Sequence, residues 1–152
     1  MSTYNLLDYK ASVPSNAKGG TAPVILPVSP GILLADLGIF IVPPVPAINR
    51  VELKGTLGLQ GISGNPIVTL RIFRLDNNVA PGIQIFTKVL NVEAAALTEM
   101  FYTASFSTID FNVPATTGFV VYRLTGEIAA AGNTANVVGP ITFTGLAIGI
   151  TP

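Results

Sequence analysis

An all-β, antiparallel sandwich is the fold this sequence predicts, and three observations carry the prediction. From Asp36 to Ile150, short apolar or alternating runs follow one another closely, separated by clusters of Gly, Pro, Asn and Asp. No segment holds a helical apolar period long enough for an independent helix. The third observation is compositional. The 152 residues make about one domain; 49% of them are apolar and 11% charged, where about 25% charged is average for a soluble domain.

The elements follow in chain order. Residues 1–22 (MSTYNLLDYKASVPSNAKGGTA) are polar and broken by Pro14, Gly19 and Gly20, so they read as an extended N-terminal arm ahead of a sandwich domain spanning residues 23–152. Seven of the 12 prolines lie between Pro14 and Pro46, which sets the first third apart. Pro23–Pro30 (PVILPVSP) is an extended, edge-type segment, because proline cannot donate to an interior ladder. Arg50–Gln60 gives the cleanest strand: Val51, Leu53, Leu57 and Leu59 alternate with polar neighbours. Gly61–Pro66 is turn chemistry and Ile67–Leu75 a second run. Asp76–Gly82 turns the chain into Ile83–Val92. Ala94–Leu97 is long enough for one helical turn. Phe101–Phe111, Phe119–Ile128 and Val137–Ile150 complete the set, with Ala129–Asn136 expected as a loop. About seven or eight such strands point to a jelly roll.

Composition excludes several kinds of chemistry. The chain has no cysteine, histidine or tryptophan, and its 8 basic side chains balance its 8 acidic ones. Cys/His zinc sites, thiol redox chemistry and Ser-His or Cys-His catalysis each lack a required residue. Zero net charge with scattered basic residues argues against nucleic acid as a partner. The longest apolar stretch, Gly31–Ile48, is interrupted by Asp36, Pro43, Pro44 and Pro46, so no membrane-spanning helix is expected. The start shows no basic-then-apolar leader.

Each candidate motif has a simpler reading. Ser15-Asn-Ala-Lys18 matches S-x-x-K, but it sits between Pro14 and Gly19 without the partner motifs of that chemistry. Gly55, Gly58, Gly61 and Gly64 form no phosphate-binding pattern and precede no helix, so close packing explains them better. Asp76-Asn77-Asn78 is a hairpin turn before it is a calcium site. Glu93 and Glu99 flank one short connection and read as solvated loop charges rather than a glycosidase pair. Asp110, between Ile109 and Phe111, is the acid to watch if it points inward, with a structural hydrogen bond the expected role. Phe101, Tyr102, Phe106 and Phe111 read as core and interface. No catalytic residue, cofactor or metal ligand is expected, and the chain is not expected to be an enzyme.

The apolar excess carries the functional expectation. In the last strand Leu146, Ile148 and Ile150 share one face while Phe143, Ala147 and glycines share the other. A half-solvated strand would be polar on one of those faces. Large exposed apolar patches on a single chain usually mark association sites. Tyr4, Leu6, Leu7 and Tyr9 of the arm, with Val24, Ile25 and Leu26, supply the strand-like segments expected to lie on a neighbouring copy in strand complementation; the residues leave open whether the arm docks on its own chain or on that neighbour. The expected partner is a second copy of the chain, with Leu146, Ile148 and Ile150 as the receiving surface.

The runs Val51–Gln60 (VELKGTLGLQ), Leu70–Arg74 (LRIFR), Phe101–Pro114 (FYTASFSTIDFNVP) and Asn136–Ala147 (NVVGPITFTGLA) resemble spore-surface jelly-roll proteins of endospore-forming bacteria. The resemblance spans roughly residues 50–150 and leaves the arm unmatched. It implies a structural role in exosporium, coat or endospore-appendage fibres, in which an N-terminal connector joins subunits. It also implies synthesis in the cytoplasm without a signal peptide, placement at the spore surface, and other spore-surface proteins as further partners. The chain departs from cysteine-crosslinked appendage subunits because it has no cysteine, so any fibre it forms holds non-covalently. The alternatives are a compact trimeric binding module of the TNF/C1q type, a viral or phage capsid-type jelly-roll subunit, and last a carbohydrate-active jelly-roll enzyme, which would need an acid cluster around Glu93, Glu99 or Asp110 in a cleft.

Overall fold

The structure, a computed structural model, describes residues 1–41, 48–94, 101–114 and 118–151. Among them are nine strands: β1 (Thr3–Ser15), β2 (Val24–Ile25), β3 (Ile32–Phe40), β4 (Ile48–Ser63), β5 (Ile67–Asp76), β6 (Ile83–Asn91), β7 (Phe101–Phe111), β8 (Phe119–Ile128) and β9 (Thr134–Thr151). They form two antiparallel sheets with strand orders β1-β9-β4-β7 and β3-β8-β5-β6, and β2 pairs with β9 beside β1. Only β5 and β6 are sequence neighbours that also pair; every other connection from β2 to β9 crosses between the sheets. That is the wrapping of a jelly-roll sandwich.

Period-two patterning builds both sheets. In β4 Val51, Leu53, Leu57 and Leu59 are fully buried, as their alternation predicts. Phe143 and Ala147 of β9 join them from the same sheet, and Leu70, Ile72, Tyr122 and Leu124 close the core from the other. The turn after β5 obeys its residue types: Asn77 and Asn78 both have positive φ, 57° and 58°, which asparagine tolerates well. Gly58 marks a close approach, since a Cβ there would lie 1.8 Å from the Gly139 carbonyl oxygen. The β4–β9 register shifts at the same place, between Leu57 and Leu59.

Two expectations about boundaries are corrected. β9 begins at Thr134 and pairs with the end of β4 through Ser63, so the segment expected as the loop Ala129–Asn136 is strand in its last three residues. Residues 3–15 of the arm are extended as expected, but as β1 they pair with β9 of the same chain from Thr3↔Thr151 to Ser15↔Ile141. Gly19 continues onto the same strand, its N–H donating to the Val138 carbonyl at 2.8 Å. The arm fits there because outer β9 offers an unpaired ladder edge, and an edge left open is a ready template for another strand. Pro43, Pro44, Pro46, Glu99 and most of Ala94–Leu97 lie outside the described residues.

Candidate assembly interface

The outer face of the β1-β9-β4-β7 sheet gathers residues that the sequence separates by more than 100 positions. The register sets them in rows. Ile150 lies between Tyr4 and Ile48. Ile148 lies between Leu6 and Arg50, and Arg50 faces Phe111 across β7. Leu146 lies between Tyr9 and Glu52, which faces Ile109. Leu6 is 69% exposed and Phe111 62%; Tyr4, Tyr9, Ile48 and Ile109 are exposed too, and the three β9 residues are half-buried. A single chain therefore leaves nine large apolar side chains on one end of one face.

One ion pair crosses this patch. Arg50 Nη2 meets Glu52 Oε1 at 3.0 Å, and the Arg50 guanidinium carbon stands 6.0 Å from the Tyr4 ring centre. Arg50 Nε is buried without a hydrogen-bond partner among the described residues. Further along the sheet the rows turn polar: Thr144, Lys54 and Ser107, then Thr142, Thr56 and Ser105. They line an open groove of about 660 Å³ whose margins include Lys88 and Phe86.

The structure thus joins part of the expected arm to the expected receiving surface. Tyr4, Leu6 and Tyr9 lie in one patch with Leu146, Ile148 and Ile150. Leu7 departs from that row at the β1 bulge between Leu6 and Asp8 and packs partly against the core, as does Val24. Leu26 is corrected from assembly residue to core residue: it is 2% exposed, and its N–H donates to the Ala135 carbonyl. Ile25 is exposed, but on β2 at the opposite end of β9. Sequence reading misses Ile48 and Ile109 because Ile48 closes a proline-broken apolar stretch and Ile109 stands between polar neighbours; their place emerges only from the β4 register.

The other sequence candidates take structural places. Asp110 points between the sheets. Arg74 Nη1 donates to both its carboxylate oxygens, at 3.0 and 2.9 Å, and the Tyr122 hydroxyl donates to Oδ2 at 2.9 Å. Arg74 Nε donates to Asp76 Oδ1 at 3.0 Å. Burial works against the Arg74 charge, but the hydrogen bond and attraction of Asp110 outweigh it and hold the guanidinium above its ordinary pKa. Burial, reinforced by the Asp110 charge, pushes the Tyr122 phenol well above its ordinary range. This cluster ties β7 of one sheet to β5 and β8 of the other. Glu93 is exposed beside the end of β6. The Ser15 hydroxyl donates to the Ala17 carbonyl at 2.9 Å. Gly55, Gly58 and Gly61 lie inside β4, against Phe106, Gly139 and Glu93 respectively.

The sheet orders define a jelly-roll β-sandwich module. No family model and no curated protein matches this chain. Among solved structures it is similar to an Eiger TNF from S. frugiperda, with a TM-score of 0.51 and 10% identity over 94% of this chain and 92% of that one. At that identity the likeness establishes the fold alone. A structure of infectious bursal disease virus, Gx strain, also matches at a TM-score of 0.30 and 11% identity, over 99% of this chain and 41% of that one, a likeness too slight to bear on function.

Proposed function

We propose that this chain is a non-enzymatic structural subunit that assembles with copies of itself, without covalent links, into a fibre or layer of the spore-surface kind. The observation that carries the proposal is the apolar end of the β1-β9-β4-β7 outer face. Burying a large apolar side chain is worth about 1.5–3 kcal/mol, so covering a patch of this size is a strong drive to associate. A second copy is the partner, because the arm and its receiving surface are one continuous surface of the same chain.

β1 is the element to exchange. It lies at the sheet edge, most of its side chains are exposed, and Leu7 is its contact with the apolar core. Its main-chain ladder to β9 and the Asp8 Oδ2 bond to the Phe40 N–H, 2.8 Å, hold it in place. Another copy's β1 satisfies the same ladder in the same register, which is how identical elements swap between subunits; the swap rebuilds the same outer face, so the patch itself is covered by a contact between faces of neighbouring copies. The head-to-tail exchange propagates as a filament or closes as a ring. A discrete closed oligomer on the same face, a compact trimeric module, is the second reading, since a head-to-tail contact whose rotation closes stops at a ring.

Negative-stain electron microscopy of the full chain separates these outcomes: uniform filaments support the polymer, a discrete ring favours the second reading, and monomers at tens of micromolar sink both. Deleting residues 1–22 is expected to leave a folded, unassembled sandwich. A peptide of residues 1–22 added in trans then restores hydrogen-exchange protection along β9. Filaments from the truncated chain would remove the arm from the mechanism.

A further inference from the structure

The opposite sheet carries a second feature, independent of assembly. On its outer face Arg71, Phe73, Gln84, Thr125 and Glu127 surround a cleft of about 440 Å³, with Ser29 on the rim. That volume falls in the range of small-molecule sites, about 300–1,000 Å³. The register brings the walls together: Arg71 lies opposite Thr125 on β8, and Phe73 opposite Gln84 on β6. Segment 27–31 passes over the end of β8, where the Ile128 N–H donates to the Pro27 carbonyl at 2.9 Å. Glu127, on the outer face, is 7% exposed there.

We infer that this cleft binds a neutral, polyhydroxylated ring, such as one sugar residue of a glycan. Charge comes first. The cleft holds one cation and one carboxylate, Arg71 and Glu127, which are already paired through Nη1 and Oε1. An anionic ligand meets Glu127 and a cationic one meets Arg71, so a neutral ligand is preferred.

Hydrogen bonding comes second. The pair engages one nitrogen of a guanidinium with five N–H donors and one oxygen of a carboxylate with two. Planar donors and acceptors therefore remain for adjacent hydroxyls. Gln84 Nε2 donates to Thr87 Oγ1 at 2.8 Å, which fixes the amide and leaves its oxygen to accept; Thr125 adds a hydroxyl that does both. Phe73 supplies an apolar surface for the C–H side of a ring. Glu127 is the only carboxylate in the lining among the described residues, where glycoside hydrolysis uses two, so the cleft holds its ligand without cleaving it.

The test is ligand-observed saturation-transfer NMR on the full chain with glucose, galactose, mannose, rhamnose and N-acetylglucosamine, and with glucose 6-phosphate as the anionic control. At least one neutral sugar is expected to receive saturation, with affinity weakened about tenfold by Gln84→Ala and again by Phe73→Leu. Both positions are at least partly exposed, and a thermal melt checks that each variant folds. No transfer to any neutral sugar overturns the inference. So does transfer that is unchanged in both variants, or stronger with glucose 6-phosphate than with glucose. None of these outcomes depends on whether the chain polymerises.

Discussion

The two outer faces of the sandwich share a fold and differ in what they present. On β3-β8-β5-β6, Asp36 lies opposite Arg123, Arg71 opposite Thr125 and Thr87, and Phe73 opposite Gln84; exposed Leu33, Ile67 and Val89 and the Phe40–Phe119 pair are dispersed among these polar rows. On β1-β9-β4-β7 the equivalent rows hold tyrosine, leucine, isoleucine and phenylalanine around a single ion pair. The mean hydropathy of +0.61 is therefore not spread evenly over the surface. Its contiguous part sits on one side, where β1, β9, β4 and β7 set the apolar residues in adjacent rows, which makes it a directional feature rather than a general stickiness.

Breaking that asymmetry has the largest expected effect. Leu6→Glu with Phe111→Glu places two like charges in the patch at exposed positions. The concentration needed for assembly, read by light scattering, is expected to rise about 100-fold or more. The melting temperature of the dissociated chain changes little, as exposed substitutions usually cost under about 0.5 kcal/mol. The matching pair on the other face, Thr87→Glu with Val89→Glu, leaves assembly unchanged. Equal losses from both pairs would mean that the faces are not functionally distinct.

The cluster between the faces comes next. Asp110 neutralises Arg74 and accepts from Tyr122 in the interior. Asp110→Ala leaves a mostly buried guanidinium with Asp76 as its remaining partner, at a cost of about 3–5 kcal/mol. For a chain of this length that lowers the melting temperature by about 10 °C. A calorimetric shift of a degree or two would show that water reaches Arg74 and that the link between the sheets is weak.

Much of this arrangement is visible in the residues themselves, and the limits have physical causes. Leu53 inward with Lys54 outward comes from alternation, and so does the outward placement of Ile148 against inward Ala147. Alternation also turns Asp110 inward. It does not reveal Arg74 as the partner, because the β5–β6 register slips between Ile72 and Phe73 and the contact is made across sheets. Gly132 and Asn133, good turn residues immediately before a strand, obscure the start of β9. Pro14 and the bulge at Leu7, which breaks the period of two, hide the docking of β1 on its own chain. The cleft around Glu127 draws on four separate segments, and no local pattern encodes such a convergence.

A pH dependence arises from the same interior cluster. Folded Tyr122 holds its proton above the unfolded value of about 10. Below pH 10 both states are protonated and this stabilisation is fully present. Above pH 10 the unfolded chain releases the proton while the folded chain keeps it, so stability falls as pH rises, by about 1.4 kcal/mol per unit. Urea midpoints at pH 8, 10 and 11 measure the slope. Tyr122→Phe is expected to flatten it, and an unchanged slope in that variant would assign the alkaline loss to other groups.

The smallest effect concerns the ion pair inside the patch. Arg50 and Glu52 are each more than a quarter exposed, at 31% and 26%, and an exposed pair contributes under about 1 kcal/mol to stability. Its place is more informative than its strength, since it interrupts an otherwise continuous apolar surface and restricts which registers two copies can adopt without stranding a charge. Arg50→Leu with Glu52→Leu should therefore leave the monomer's melting temperature within a few degrees while changing the product. Ordered filaments or rings give way to polydisperse aggregates in negative stain, although association itself strengthens. If the double variant forms the same ordered assembly as the parent chain, shape alone sets the register, and the asymmetry between the faces is purely one of hydrophobicity.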